Sequence, residues 1–247
     1  HGEFSAYCEA KAALFTGLSS DAYAVLNADD PHVEAWGDKT DAEVITYGMH
    51  AKANWQARSV NVTPQGMVIE AHTPLGDIEV KAPMLGQFNC YNILASLAAA
   101  HSLGIEVERL TAEMVSVESV PGRFESLDEG QEFTVLVDYA HTPDALNNVL
   151  KAAKTLTEDN LICVFGCGGD RDRGKRPEMG EVAGKWADIL WVTSDNPRSE
   201  DPRSIISEIV EAVPPNTVCE TETNRASAIE AALRAASPGD CVVIAGK

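Results

Sequence analysis

The sequence predicts an α/β protein whose second half is a doubly wound parallel sheet, and three observations predict it. Four short apolar runs, Phe133–Val137, Leu161–Phe165, Ile189–Thr193 and Cys241–Ala245, are continuous rather than alternating. That pattern suits strands covered on both faces. Between them lie stretches with apolar residues at one-face helical spacing. Strands alternating with helices require crossover connections, and therefore a parallel sheet with helices on its faces.

The elements of the first half are read in chain order. Residues 4–15 carry few helix breakers and predict a helix. Tyr23-Ala24-Val25-Leu26 predicts a strand that ends in the polar turn Asn27-Ala28-Asp29-Asp30-Pro31. Residues 57–82 alternate, with Val68, Glu70, Ile78, Glu79, Val80 and Lys81 suiting a hairpin that turns at Thr73–Asp77. Asn89 to Leu103 is rich in Ala and Leu and stops at Gly104, as a buried helix with a glycine terminator does. A second helix over roughly 106–118 leads to Val120-Pro121-Gly122, which divides the chain into domains 1–119 and 120–247.

In the second half, Leu146, Val149, Leu150 and Ala153 mark one helix face. Ile205, Ile206, Ile209 and Val213 mark another, and Ala226, Ile229, Leu233 and Ala236 a third. Thr142-Pro143-Asp144 has the order of a capped start: a hydroxyl, a proline in the first turn, and an acid beside the helix N-terminus.

Composition narrows the function. A chain of 247 residues with 45% hydrophobic and 23% charged residues can bury one large core or two ordinary ones. It has no apolar run long enough to span a bilayer and no signal-peptide pattern. Cys8, Cys90, Cys163, Cys167, Cys219 and Cys241 lack the paired spacing of a zinc site and read as reduced thiols of a cytosolic protein. A formal net charge of -19 disfavours nucleic acid or an anionic membrane as partner. Any anionic substrate then needs a local cationic cluster, and Arg171, Arg173, Lys175 and Arg176 supply one.

Ligands of open α/β sheets bind beyond the carboxyl ends of the strands. Each such end here carries an unusual segment: Asp138–Asp144, Gly166–Pro177, Ser194–Arg198, and Gly246-Lys247. Taken singly, each has a plainer account. Gly166, Gly168 and Gly169 could simply turn a tight loop, and the spacing is not the dinucleotide fingerprint. The Arg/Lys run could be a solvated face, Asp195-Asn196-Pro197 a helix entry, and His141 a satisfied core histidine.

Taken together, Val137 to Leu146, Phe165 to Pro177 and Ser194 to Arg198 resemble the Mur ligases, within them the branch that adds 2,6-diaminopimelate. The resemblance continues through Gly86 to Asn92, Pro121 to Glu125 and Ala6 to Lys11, so it covers essentially the whole chain. It implies the later part of the family's central ATP-binding domain over 1–119. A Rossmann-like, doubly wound, amino-acid-binding C-terminal domain follows over 120–247. The reaction it implies is phosphorylation by ATP of the D-Glu side-chain carboxylate in UDP-N-acetylmuramoyl-L-alanyl-D-glutamate (UDP-MurNAc-dipeptide). The amine of meso-diaminopimelate then attacks the acyl phosphate, in peptidoglycan synthesis, with Mg2+ and cationic groups around the phosphoryl group. A monomer in the cytoplasm is expected.

The resemblance also implies roles residue by residue. Asp195-Asn196-Pro197-Arg198 matches the diaminopimelate-recognition motif, in which an arginine fork suits the carboxylate that lysine lacks. Arg171 matches a second arginine on the amino acid, and Gly246 a backbone contact. Lys11 matches the lysine carbamylated to bind magnesium, although its residues alone read as a solvated helix lysine. Asn89 and Asn92 match positions near adenine, with helix N-capping as the plainer account of Asn89. Arg123, Asp138 and His141 match the nucleotide side, so Lys11, Asp138 and His141 are the implied catalytic residues.

Three departures temper this. The family's uridine-nucleotide domain and its Gly-Lys-Thr phosphate loop have no match in the sequence. His1 is not expected to be the upstream magnesium ligand, and a family glutamate after Gly-Lys would lie past Lys247. On that basis the isolated chain is expected not to turn over. A relative adding L-lysine, a folylpolyglutamate synthase and a non-catalytic nucleotide-binding module are the competing readings. Arg198 would have no second carboxylate to bind in a lysine enzyme.

Overall fold

The computed structural model describes residues 4–63 and 65–246, with side chains from Tyr7 in the first helix considered below. The chain divides into two compact units, one ending at Glu118 and one starting at Ser119.

The first unit runs α1 (Phe4–Thr16), β1 (Tyr23–Asn27), α2 (Val33–Gly37), β2 (Glu43–Gly48), β3 (Trp55–Thr63), β4 (Gly66–Thr73), β5 (Gly76–Ala82), α3 (Phe88–Ser102) and α4 (Val107–Met114). Its sheet has the order β1-β2-β3-β4-β5. The first three strands are parallel, and β3, β4 and β5 form an antiparallel meander. The expected hairpin at residues 73–77 is there, with β3 added as a third strand. Met67, Ile69 and Ala71 form the buried face of β4, while Val68 is only half-buried. Ile93, Leu94 and Leu97, which fall on one stripe of α3, join Met67, Ile69 and Ala71 in one core, with α3 lying on β1, β2 and β3. Gly104 ends α3 in the left-handed region at φ +88°, and Ile105 N–H returns to Ala100 O at 3.2 Å. The helix expected over 106–118 is shorter and stops at Met114.

The second unit runs β6 (Glu125–Leu127), β7 (Thr134–Asp138), α5 (Pro143–Lys154), β8 (Leu161–Phe165), α6 (Lys175–Trp186), β9 (Ile189–Thr193), α7 (Pro202–Val210), β10 (Val218–Glu222), α8 (Arg225–Ala235) and β11 (Cys241–Ala245). The strand order is β10-β9-β8-β11-β7-β6. All pairings are parallel except the short β6 on β7. The doubly wound sheet is therefore present, and β11 inserts between β7 and β8. Every residue of β8 and β11 is buried, as strands covered on both faces require. Ile162, Val164, Val242 and Ile244 pack on Ala228 and Ala232 of α8. Helices α5, α6 and α7 pack side by side in a separate layer.

Three expectations need correction here. The buried stripe of α8 runs through Ala228 and Ala232, and Ala226 is exposed. Lys175, Arg176 and Pro177 open α6 and are not loop residues. The edge strand β10 was missed because its Glu220 and Glu222 interrupt any apolar run. The α5 start behaves as read: Thr142 Oγ1 accepts the Ala145 N–H at 3.3 Å, with Pro143 in the first turn. No helix among the described residues is long and apolar enough to cross a membrane.

Helices α6 and α7 meet at Gly180, where a Cβ would strike the carbonyl oxygen of Ile209. Backbone cannot swing aside as a side chain can. Gly180→Ala should therefore cost about 2 kcal/mol of unfolding free energy by overpacking, outweighing the roughly 1 kcal/mol gained in helix propensity. A lowered denaturant midpoint with an unchanged slope is the expected readout; an unchanged or raised midpoint would refute the close approach.

Candidate active site

The carboxyl ends of β7, β8, β9 and β11 form one rim of the second unit, and the segments after β8 and β9 touch there. Gly166 follows β8 directly, and a Cβ on it would collide with Thr193 O and stand 3.0 Å from Asp195 N. A Cβ on Gly169 would collide with Pro197 O. Gly169 N–H donates to Asn196 O at 2.9 Å, and Arg198 Nη1 returns a bond to Gly169 O at 2.6 Å. These glycines do more than turn a loop, since they let one backbone lie on another.

Two consequences follow for the arginines. A Cβ placed on Gly168 would lie 3.0 Å from Arg198 Nη1 and 4.0 Å from Arg171 Cγ, so both side chains flank a single point. Arg198 holds φ at +50° and Asp170 at +52°, left-handed conformations that need support from their surroundings. The support is visible. Asp170 accepts the Ser199 hydroxyl at 2.7 Å and its N–H at 3.2 Å, and donates its own N–H to Glu200 Oε1 at 2.7 Å.

Beneath these loops lies Arg176, with 0% of its side chain exposed. Its Nη2 donates to Glu200 Oε1 at 2.7 Å, and its Nη1 to Glu200 Oε2 at 2.9 Å and Glu208 Oε2 at 2.8 Å. Arg173 also pairs with Glu208. The expected four-residue cationic cluster is thus not one anion site. Arg173 and Arg176 are committed to carboxylates, because a buried guanidinium without a counter-charge would cost several kcal/mol. Lys175 spends its ammonium on His141 O at 2.8 Å. Arg171 makes no ion pair among the described residues, and neither does Arg198. Asp195 likewise shows no hydrogen bond to its carboxylate there, and the Asn196 side chain is exposed.

At the end of β7, the Asp138 carboxylate is buried and accepts the N–H groups of Ala140 at 2.7 Å and Phe124 at 2.8 Å. Burial raises its pKa, and those two donors and Arg123 oppose the rise. Its carbonyl takes the N–H of Gly246 at 2.8 Å, where φ is +98°. Above it Arg123 stacks 4.9 Å over Tyr139, whose ring meets His141 edge-on at 4.8 Å. His141 is exposed, so the satisfied-core account fails. Its Nδ1 lies 2.9 Å from Tyr139 O, which only an N–H can satisfy, leaving Nε2 as the open nitrogen of the neutral ring. Asp138, His141, Arg123 and Gly246 therefore come together, beside Lys175.

Sequence reasoning missed Arg225. Its Nη2 donates to Ala245 O at 2.8 Å, while Nη1 is buried without a partner. Burial lowers its pKa, opposed chiefly by the charge of Asp195. An arginine opening a helix gives no sequence signal of such a position. Missed too were Glu200 and Glu208, for which the expected arginine cluster itself was the available clue, since buried cations need acids.

In the first unit, Asn89 is buried one residue inside α3, so it is not the N-cap, a position held by Gln87. Its Nδ2 donates to Leu85 O at 2.7 Å and its Oδ1 accepts from Asn92 Nδ2 at 2.8 Å, so the two asparagines are joined. Between them Tyr91 donates its hydroxyl to Asp29 Oδ2 at 2.9 Å, and burial, then Asp29, pushes that phenol up to about 12. Asp29 also gathers the N–H groups of Met49, His50 and Ala51 at 2.7, 3.1 and 2.6 Å. Sequence reasoning had Asp29 only as a turn residue.

Lys11 lies on an exposed face of α1 with Nζ 4.6 Å over the Tyr7 ring. The hydrogen bond to Tyr7 holds the ammonium above its ordinary pKa, the reverse of the neutral amine a carbamate requires. Among the described residues no three His, Cys, Asp or Glu side chains gather as a metal site. A magnesium ion that keeps its waters and the phosphates of its nucleotide takes only one or two protein ligands, and Lys11 would be one only as its carbamate. All six cysteines are free, with Cys90, Cys163, Cys167 and Cys241 buried. His1 and Lys247 lie outside the described residues.

Comparison with known proteins identifies the family of the chain. The family profile described as "Mur ligase, glutamate ligase domain" matches residues 122–247, and "Mur ligase middle domain" matches residues 1–100. The chain is 44% identical over 250 residues to the UDP-N-acetylmuramoyl-L-alanyl-D-glutamate--2,6-diaminopimelate ligase of Thermosynechococcus vestitus, covering 100% of the chain and 50% of that protein. It is 44% identical over 254 residues to the enzyme of the same name from Geobacillus kaustophilus, covering 52% of it. The chain thus spans about half the length of the curated relatives it matches. A solved structure of a ligase of that name superposes with TM-score 0.68 at 36% identity, over 100% of this chain and 52% of the other. Folylpolyglutamate synthase of Mycobacterium tuberculosis with ADP superposes with TM-score 0.80 at 21% identity, over 100% of this chain and 57% of the other, a likeness of fold.

Glu200 gives a pH signature. The Arg176 hydrogen bonds, then the Asp170 N–H, lower its pKa from 4.5 to about 2. A carboxyl depressed by folding adds stability that is complete above its unfolded pKa and lost as pH falls through the folded one. The window is therefore between about 4.5 and about 2. Glu200→Gln should lower the denaturant midpoint at neutral pH and flatten its decline across that window. Parallel declines for the two proteins would show that Glu200 is not held by Arg176.

Proposed function

The chain belongs to the Mur ligase family, and from that premise we propose that it serves an ATP-dependent ligase. This ligase joins meso-2,6-diaminopimelate to UDP-N-acetylmuramoyl-L-alanyl-D-glutamate. ATP gives its γ-phosphoryl group to the D-Glu side-chain carboxylate, forming an acyl phosphate and ADP. A neutral amine of diaminopimelate attacks the acyl carbon, an amide forms, and phosphate and a proton leave. Residues 1–119 are read as the later part of the central domain and 120–247 as the amino-acid-binding domain.

The observation that carries the reading is the pair Arg171 and Arg198, which lie about Gly168 and have no carboxylate partner among the described residues. Two arginines on one rim suit a substrate with two carboxylates, and the fork of Arg198 suits bidentate binding of the distal one. Asp195 and the Asn196 side chain offer acceptors for the ammonium beside it, with Pro197 setting their turn and Gly246 a backbone contact. Relatives at 44% identity carry the name of this activity.

The remaining roles are assigned on the same footing. The joined Asn89 and Asn92 face the adenine, and Arg123 the nucleotide. His141, through Nε2, is placed to exchange a proton with the reacting groups. The buried Asp138 acts by holding Phe124 and Ala140 in register. ATP is a substrate and Mg2+ its companion ion; Lys11 would serve that ion only as its carbamate. The reading further takes the protein as a cytoplasmic monomer with small-molecule partners, without nucleic acid or membrane. An L-lysine-adding ligase is the alternative, and Arg198 disfavours it.

The test is ligation by the complete polypeptide that carries this sequence, unaltered and as Arg198→Ala, with meso-diaminopimelate and L-lysine in separate assays. Diaminopimelate should be preferred. Arg198→Ala should raise its KM by roughly 10- to 100-fold, the worth of a charged hydrogen bond, and leave the KM for ATP unchanged. Preference for lysine, or an unchanged KM in the variant, would overturn the reading.

A further inference from the structure

Arg176 is withdrawn from water, yet no step of the proposed ligation uses it. What it does use is Glu200, whose two oxygens both accept from its fork. One of those oxygens also accepts the N–H of Asp170. Asp170 in turn holds Ser199, the neighbour of Glu200, by hydroxyl and by backbone. Glu200 N–H closes the loop on Pro197 O at 3.0 Å. The segment carrying Arg171 and the segment carrying Arg198 are thus clamped at residues 170 and 199–200. Both clamped segments contain a non-glycine residue in the left-handed region, Asp170 and Arg198, which would relax without such support.

We propose that Glu200, gripped by Arg176, is a specificity-determining positioning residue. It sets the spacing of Arg171 and Arg198, and with it the discrimination between an amino acid bearing two carboxylates and one bearing a single carboxylate. The inference rests on the reading that Arg198 meets the distal carboxylate. A fork–carboxylate pair is sensitive to displacements that a point charge would tolerate, so a loosened clamp degrades choice of substrate before it degrades chemistry.

The experiment compares Glu200→Gln, Glu208→Gln and Arg198→Ala in the complete polypeptide, measuring kcat and KM for meso-diaminopimelate, L-lysine and ATP. Glu208 pairs with Arg176 and Arg173 but bonds neither residue 170 nor residue 199, so it reports what loss of ion pairs does without loss of the clamp. Glu200→Gln should narrow the diaminopimelate-to-lysine ratio of kcat/KM at least tenfold, through KM, with kcat and the KM for ATP within twofold. Glu208→Gln should leave that ratio within twofold. If Glu200→Gln yields no folded protein, Ser199→Ala, which removes the hydroxyl link to Asp170, should narrow the ratio at least threefold. An unchanged ratio in the Glu200 or Ser199 variant, or a loss confined to kcat, sinks the proposal while Arg198→Ala still erases the preference. If Arg198→Ala also leaves the ratio unchanged, the reading of the site falls and the proposal with it.

Discussion

Backbone of the segment after β8 lies against backbone of the segment after β9, with no side chain between them, and the rest of the rim depends on that contact. Gly166 and Gly169 permit it, because any Cβ there would occupy the space of Thr193 O or Pro197 O. With the two backbones in contact, Gly169 and Asn196 can exchange a hydrogen bond. Arg198 can reach back to Gly169 O, and Arg171 Cγ lies near the same neighbourhood, about Gly168. A loop separation larger by one methyl group would break these links together. Glycine is thus a positive requirement at two positions, and its conformational freedom is the lesser part of its role.

Much of this was legible in the sequence, and the exceptions share a physical cause. Strands β8, β9 and β11 could be read to the residue because burial on both faces makes their apolar runs continuous. The capped start of α5 was local chemistry, and local chemistry is visible in a string of residues. By contrast, Arg176 reads as one more exposed cation in a run, and only the fold brings Glu200 and Glu208 under it. The same holds for Arg225, whose partner Ala245 O lies 20 residues further along. Strand β10 failed for a different reason: half of it faces water, and its glutamates leave neither apolar continuity nor clean alternation.

The first unit shows the same division of labour. Asp29 gathers three successive N–H groups of residues 49–51 and the hydroxyl of Tyr91, so one carboxylate ties the end of β2 to the first turn of α3. Its pKa is lowered because backbone donors outweigh the effect of burial, which keeps the anion they need. The turn at residues 27–31 was evident from composition, but its purpose lies 20 residues away at the next strand. Asn89 and Asn92 flank Tyr91 in the sequence and are held by Leu85 O and by each other.

Strand β10 closes the sheet on one side and, among the described residues, pairs only with β9. Its outer row of amide and carbonyl groups is therefore a template onto which a second chain could add. Val218 at its start is exposed, and Thr221 is open to water as well. Glu220 and Glu222 share the face of Val218, in a chain whose formal charge is already -19. A second copy aligning its own β10 there would bring like charges together on both sides of the new ladder. The acids that hid this strand from sequence reading thus act as a built-in deterrent to fibre-like self-association. High ionic strength, which screens exposed charges, is the condition under which that deterrent weakens.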